Sequence, residues 1–477
     1  MSQDRQEKIL HSTGWILARI VLIQILNVIL VGYLARNNAK ELFGNVAIIS
    51  IIVTALSNLI TQTFPNYIIY SKNKTLALSA SIQTSVVFAI ILVLLTYFLV
   101  TLQLIELSYD IWFKILILKL PLDAYTSCLD ASYTRDMRFR FIEKRDIAIQ
   151  VITICLALFL ALNGRAVEAM LLPLLLVSFL RAVVMMSMKH THVSKTLDLM
   201  ECIRAVKYTK GLVGTSIANT LISEGDSFFV SKWFGPQSLG IYNISWRTAN
   251  ILNRNMGSLV NRLIFPYMRK NSDDLLTKLL ALWNLLSALF TPIYVFMFFY
   301  AEYVIELLYG SQWDEAVLPF RILLLYSFRM MLTSPINSAL KVLGKTNLIM
   351  NVTFLVIPVY LGSVYFGKSF GLVGIACGVM LSRNLGGVIL MNKITRLLQI
   401  EFKALFLMVT RPLLIAVLCC MFSRYILFHL MHYTPSLVFL NIFICFTLFA
   451  LMYTFSLSMS MSKGMFGLIN EVKKSLK

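Results

Sequence analysis

An all-α polytopic membrane protein is the fold class this sequence predicts, and three observations carry it. Hydrophobic residues fill 58% of the 477 positions and charged residues only 14%, with a mean hydropathy of +0.76; a soluble core cannot hide that much apolar surface. The apolar residues are gathered into runs long enough to cross roughly 30 Å of hydrocarbon. Lysine and arginine are shared unequally between alternate connections, which is how a helical membrane protein sets its topology.

The runs fall at 14–34, 43–63, 79–100, 111–131, 147–163, 167–187, 211–231, 239–266, 277–300, 318–340, 348–366, 371–391, 405–428 and 436–459, which makes about 14 transmembrane helices. The polar start before the first run has no small-residue cleavage site, so the first span is expected to stay as an anchor. The connections after spans two, four, six, eight, ten and twelve, with both tails, hold most of the basic residues, among them Arg135, Arg138, Arg140, Lys144 and Arg145. The other side has only Arg36, Lys40, Arg165, Lys232 and Lys368, and its loops carry Glu106, Asp110, Glu302, Glu306, Asp314 and Glu315. This asymmetry predicts that both termini are cytoplasmic and that the 301–317 loop is periplasmic. Dropping the polar run 239–266 from the count would invert every later loop, so that run is expected to span.

That eighth run is the unusual one. Asn243, Arg247, Asn250, Arg254, Gly257 and Asn261 recur at alternating steps of four and three, which at about 100° per residue confines them to an arc of roughly 80°. Ile241, Ala249, Leu252, Met256, Leu259 and Leu263 take the opposite face. Two arginines inside a crossing helix cost about 2.5–3.5 kcal/mol each on insertion scales. Their face must therefore line an aqueous cavity or meet partners inside the bundle. Further candidates for that interior are Arg19 and Asn27 in span one; Asp123, Ser127 and Asp130 in span four; and Thr215, Asn219 and Asp226 in span seven, with Ser223 and Glu224 nearby. Arg321 and Arg329 in span ten and Arg383 in span twelve complete the set. A buried arginine–aspartate pair that only fixes helix packing is the competing reading at each of these positions.

Arginine grips phosphate oxygens bidentately, and asparagine both donates to and accepts from hydroxyls. Arg247 and Arg254, with Asn243, Asn250 and Asn261 and with Arg19, Arg321 and Arg329, are the expected substrate-binding residues. Asp226, with Glu224 and Asp123, is the expected ion-coupling group, because a partly desolvated carboxylate can carry a proton or sodium.

Gly44 and Gly240 stand in register 196 residues apart, each entering a span, and Arg36 falls on Lys232 at the same offset. An offset of six spans predicts two parallel halves around a central cavity. The expected boundaries are an N-terminal six-helix lobe at 1–187, a basic linker at 188–210, a C-terminal six-helix lobe at 211–391, and two extra helices with a basic tail at 392–477. The seven cysteines show no paired or metal-ligating spacing, and there is no phosphate-binding glycine loop. No cofactor, metal or ATP is expected. The net charge of +20 is read as a topology signal, with no nucleic-acid partner.

The run Glu224-Gly225-Asp226-Ser227-Phe228-Phe229-Val230-Ser231-Lys232-Trp233-Phe234-Gly235-Pro236-Gln237-Ser238-Leu239-Gly240-Ile241-Tyr242, followed by Arg247 and Ile264-Phe265-Pro266, resembles the polysaccharide transporter family. These are the Wzx-type flippases of the multidrug/oligosaccharidyl-lipid/polysaccharide exporter superfamily. Leu34-Ala35-Arg36, Phe43-Gly44, Arg138-Phe139, Tyr309-Gly310-Ser311-Gln312-Trp313 and Leu343-Gly344-Lys345 add to the likeness, which covers about residues 10–400.

The resemblance implies two six-helix lobes and an inner-membrane protein that moves an undecaprenyl-pyrophosphate-linked oligosaccharide to the periplasmic leaflet. It implies alternating access coupled to an ion gradient, membrane lipids around the chain, and polymerase and chain-length regulators as candidate partners. A drug exporter of the same superfamily is the first rival, but an arginine-lined cavity repels organic cations. A membrane-embedded glycan polymerase or ligase is the second, but it would display a large periplasmic loop, and the 301–317 loop is short and acidic. A channel lacks its repeated filter segment here. His429 and His432 have no acidic or metal partners in sequence and read as interfacial. The chain is therefore expected not to be an enzyme.

Overall fold

The structure is a computed structural model that describes residues 22–71, 73–102, 108–136, 138–188, 198–253, 268, 275–400, 402–433 and 438–460. All regular structure among them is helical, in agreement with the all-α polytopic fold read from the sequence. The helices are α1 (Leu22–Asn37), α2 (Lys40–Thr61), α3 (Pro65–Tyr70), α4 (Lys74–Thr101), α5 (Asp110–Ile117), α6 (Lys119–Arg135), α7 (Phe139–Leu162) and α8 (Ala166–Ser187). Then come α9 (Leu199–Ala249), α10 (Leu275–Phe299), α11 (Ala301–Tyr309), α12 (Val317–Val342), α13 (Thr346–Gly367), α14 (Gly371–Leu397), α15 (Phe402–Tyr433) and α16 (Val438–Ser460).

Nine stretches of the described residues are long and apolar enough to cross a membrane, and one of them, Asn347–Leu397, holds both α13 and α14. α6, with 17 residues, and the polar-rich α9 are not in that set.

The breaks follow from residue chemistry. α9 is interrupted at Gly235 (φ 80°, ψ 179°), a conformation that an L side chain resists, and Pro236 starts the next helical segment in the position where its missing N–H is harmless. We call the parts α9a and α9b. Residues 199–210 of the basic stretch are helical and run into α9a. α12 ends where Gly344 (φ 69°) lets its own N–H reach the Lys341 carbonyl and that of Lys345 reach Leu340; this is what the Leu343-Gly344-Lys345 motif does. Asn73 caps α4 by accepting from the Leu76 N–H at 3.4 Å.

The chain divides into two compact units, Ser12–Asn243 and one within Ile244–Lys477. The first has an apolar core of Val46, Ile49 and Val53 from α2, Ala89 from α4, Phe113 from α5, Leu120 from α6 and Leu171 from α8. The second has one cluster around Leu279, Trp283, Ile336 and Ile394 and another around Val295, Tyr300, Cys420 and Phe449. In the latter cluster α15 and α16 pack on α10, through a 2.6 Å Tyr300–Ser423 hydroxyl contact and a 2.8 Å bond from Tyr453 to the Ala288 carbonyl. Outward faces stay apolar, as with Ile90, Leu94 and Phe98 on α4 and Phe443, Leu451 and Phe455 on α16. Only lipid satisfies such faces. Element order also repeats: a long helix, a short helix and three long ones occur as α4–α8 and again as α10–α14.

Candidate functional site

The buried charges of the second unit converge on α12, α14 and the 244–253 part of the polar-striped helix. Arg329 of α12 is partly buried and donates from Nε to Asn384 Oδ1 at 2.7 Å, from Nη2 to the Arg383 carbonyl at 2.9 Å and from Nη1 to Thr333 Oγ1 at 3.3 Å. Its Cζ lies 5.4 Å from the Tyr326 ring centroid. Every acceptor is neutral, and among the described residues no carboxylate is within ion-pair distance of this guanidinium.

Arg383, only 6% exposed, stands beside it inside three aromatic rings: Cζ is 4.7 Å from the Trp246 centroid, 5.3 Å from Tyr326 and 5.4 Å from Tyr360. Trp246 and Tyr326 stack at 5.7 Å and 13°. A desolvated cation–π contact contributes about 2 kcal/mol, while burying a guanidinium costs several kcal/mol. Neutral acceptors hold the Arg329 guanidinium, and π faces surround that of Arg383.

Local sequence explains the arrangement. α14 carries Gly386-Gly387 in mid-helix, and the absent side chain at 387 makes room for the Arg329 guanidinium, while Gly386 lies against Val356 of α13. Small residues in a membrane helix permit such close approach. Asn250 and Asn253, just past the end of α9, hold that stretch against α12: Ser327 donates to Asn250 Oδ1 at 2.9 Å, and Asn253 donates to the Ser327 carbonyl at 2.8 Å.

The other sequence-predicted residues fall in different places. Arg247 is partly exposed and lies near Tyr309 of α11, whose phenol is pushed up by burial and pulled back by the Thr248 hydroxyl and the Arg247 charge. Thr248 meets Tyr309 at 2.8 Å and Ser245 donates to the Ala316 carbonyl at 2.9 Å; the Tyr309–Trp313 motif therefore clasps the striped helix, with Trp313 fully buried. Arg321 is drawn away from Arg329 by Glu302 at 2.9 Å and the Phe298 carbonyl at 3.2 Å, and Arg424 approaches the same Glu302 at 3.6 Å.

In the first unit, Asn243 and Glu224 are partly exposed, and Asp226 is 1% exposed and accepts from Tyr242 at 2.6 Å. Asp123 belongs to a separate knot, accepting from Ser57 at 2.6 Å, Lys119 at 2.6 Å and Ser178 at 2.5 Å. Arg19, Arg254 and Asn261 lie outside the described residues. Trp246, Tyr326, Tyr360 and Asn384 escaped the sequence reading; the signal that pointed toward them was the glycine pair in the middle of an arginine-bearing span.

The structure thus holds a cationic, aromatic-lined site among helices long and apolar enough to cross a membrane. A family described as "Polysaccharide biosynthesis protein" matches residues 33–318, and the chain belongs to it. An uncharacterized membrane protein in the cps region of Klebsiella pneumoniae is 23% identical over 401 residues, covering 80% of this chain and 81% of that one. The succinoglycan biosynthesis transport protein ExoT of Rhizobium meliloti is 23% identical over 206 residues, 43% of this chain and 42% of its own. In fold, the chain is similar to the lipid II flippase MurJ in an inward closed conformation, with TM-score 0.71 at 14% identity over 93% of this chain and 98% of that one. It is also similar to an inward-facing multidrug resistance MATE transporter, with TM-score 0.59 at 12% identity over 80% and 96%.

Proposed function

We propose that this protein is a flippase that carries an undecaprenyl-pyrophosphate-linked oligosaccharide, the repeat unit of an O-antigen or exopolysaccharide, from the cytoplasmic to the periplasmic leaflet. The observation that carries the reading is Arg329: a guanidinium held by three neutral acceptors beside a second, aromatic-caged guanidinium, in a family whose members serve polysaccharide biosynthesis. A diphosphate supplies an anionic partner for Arg329, whose own acceptors are all neutral. A drug exporter, which shares the fold, would meet a field of the wrong sign for organic cations.

In this reading two six-helix lobes, 1–187 and 211–391, alternate access around a cavity lined by the polar stripe that includes Arg247 and Arg254. Asp226 couples the cycle to an ion gradient. The protein sits in the bacterial inner membrane with both termini cytoplasmic, alongside a polymerase and a chain-length regulator. The test is lipid analysis of the native strain in which the chromosomal copy is replaced by Arg329→Ala. The expected result is accumulation of polyprenyl-diphosphate-linked oligosaccharide on the cytoplasmic side with normal amounts of membrane-inserted protein. Normal surface polysaccharide and no accumulation would remove the proposal.

A further inference from the structure

The first turns of α9a pack by one face only. Glu201 is buried and accepts from the Tyr67 phenol at 2.7 Å and from Arg204 at 3.0 Å. Ala205 is closed in with Tyr67 and Ala77, Tyr208 stacks on Tyr70 at 4.6 Å and 21°, and Cys202 donates to Gln83 Oε1 at 3.5 Å. On the other side of the same turns Leu199, Met200, Ile203 and Val206 are each at least half exposed, and Arg204, Lys207 and Lys210 stand exposed among them. At about 100° per residue these side chains share an arc of roughly 160°. The single acid of residues 199–210 is Glu201, on the packed side. Arg204 pairs with it, and among the described residues no carboxylate is within ion-pair distance of Lys207 or Lys210.

We infer that this face is a binding surface for anionic phospholipid headgroups of the cytoplasmic leaflet, with its apolar residues in the acyl region and its cations on the phosphates. The depth is set by α4. Gln83 stands nine residues past the start of that helix at Lys74, about 13 Å along its axis, so Cys202 and its neighbours lie beside a membrane-crossing helix and not beyond its end. Val87, Ile90 and Ile91, one to two turns further along α4, are exposed and apolar, which continues the lipid-facing surface. Along residues 199–210 the apolar side chains come first, at the Gln83 end. The cations come last, where Tyr208 meets Tyr70 at the end of α3. That is the order in which a leaflet passes from hydrocarbon to phosphate. Apolar burial and attraction to negative lipid then act together on one helix face, whereas a face turned to water would not carry four large apolar side chains. The helix continues unbroken to Gly235, so headgroups held here fix one end of the span that carries Asp226. The lysine and arginine distribution assigns these turns to the cytoplasmic side, so the choice of leaflet rests on the topology given under the proposed function; the lipid preference does not depend on what the substrate is.

The test uses the full chain with Cys155, Cys202 and Cys377 replaced by serine, the four buried cysteines retained, and Ile203→Cys carrying a bimane fluorophore. The protein is placed in phosphatidylcholine vesicles that hold increasing fractions of either phosphatidylglycerol or phosphatidylcholine with brominated acyl chains, and no polyprenyl lipid. The expected result is quenching by both, with phosphatidylglycerol effective at a several-fold lower mole fraction. A basic residue near an anionic surface is worth roughly five-fold in affinity, so Lys207→Gln/Lys210→Gln should bring the two lipids close to equal quenching. Lys207→Arg/Lys210→Arg should keep the difference, and high salt should shrink it. Absence of quenching by either lipid, equal quenching by both, or a preference that survives Lys207→Gln/Lys210→Gln overturns the inference. So does displacement of phosphatidylglycerol by trace undecaprenyl diphosphate, which would make the transported lipid the occupant. Sidedness is read separately, by labelling Lys210→Cys in spheroplasts with a membrane-impermeant maleimide. Labelling only after lysis is expected; labelling of intact spheroplasts would overturn the leaflet together with the topology, while the vesicle result, which has no sidedness, still decides the lipid preference.

Discussion

A methyl group at Gly387 would lie 1.8 Å from Nη1 of Arg329 and 2.5 Å from its Cζ. The bare backbone of α14 is therefore the berth of a guanidinium from α12. Gly387→Ala is expected to dislodge the guanidinium without removing its charge, since the side chain can swing away. Transport should fall nearly as far as in Arg329→Ala, while thermal stability changes little. Gly386→Ala is the contrast: its methyl group would meet Val356 at 2.9 Å, in packed apolar surroundings, where overpacking costs about 1–3 kcal/mol. That variant should lose stability first. Parallel measurements of surface polysaccharide and of detergent-solubilised melting temperature separate the two.

How much of this was legible in the sequence depends on the range of the interaction. Class and family followed from hydropathy and from the run around Gly235, because insertion energy is summed over neighbours in the chain. Gly344 could be read as a helix end for the same local reason. Arg329 stood out because a charge in an apolar run is costly wherever it is placed. Its surroundings were not legible: Trp246, Tyr326, Tyr360 and Asn384 lie on four different helices, and a Trp or Tyr in a membrane span is normally unremarked core. Packing also distinguishes members of the polar stripe. Asn250 spends its side chain on Ser327 and on the Trp246 carbonyl, whereas Arg247 is partly exposed beside Tyr309. Angular position on one helix cannot rank residues whose fates are decided by neighbouring helices.

Asp226 and Tyr242 face each other across the Gly235 break at 2.6 Å. If the carboxylate carries the coupling ion, Asp226→Asn should uncouple transport from pH, sodium or membrane potential, and Tyr242→Phe should shift that dependence without abolishing transport. A proteoliposome assay with an imposed gradient reads both. Unchanged gradient dependence in Asp226→Asn would leave this residue a packing role only.

Arg145 binds Asp130 through two bonds and Asp146 through two more, with Arg181 closing the chain on Asp146 at 3.1 Å. Its side chain is 2% exposed. Removing one partner of such a buried pair costs about 3–5 kcal/mol, because the other charge is left uncompensated. Arg145→Ala should therefore lower the amount of folded protein, and Asp130→Asn in the same chain should restore part of it. Thermal unfolding of the purified variants checks this order.

The most direct measurement is binding of undecaprenyl diphosphate to the purified protein in detergent, with Arg329→Ala and Arg321→Ala compared against the unaltered chain. A hydrogen bond to a charged group contributes about 1.5–3 kcal/mol, so loss of Arg329 should weaken binding by roughly 10- to 150-fold. Arg321, already paired with Glu302, should matter little. Equal affinity for the diphosphate lipid in the unaltered and Arg329→Ala proteins would contradict the account.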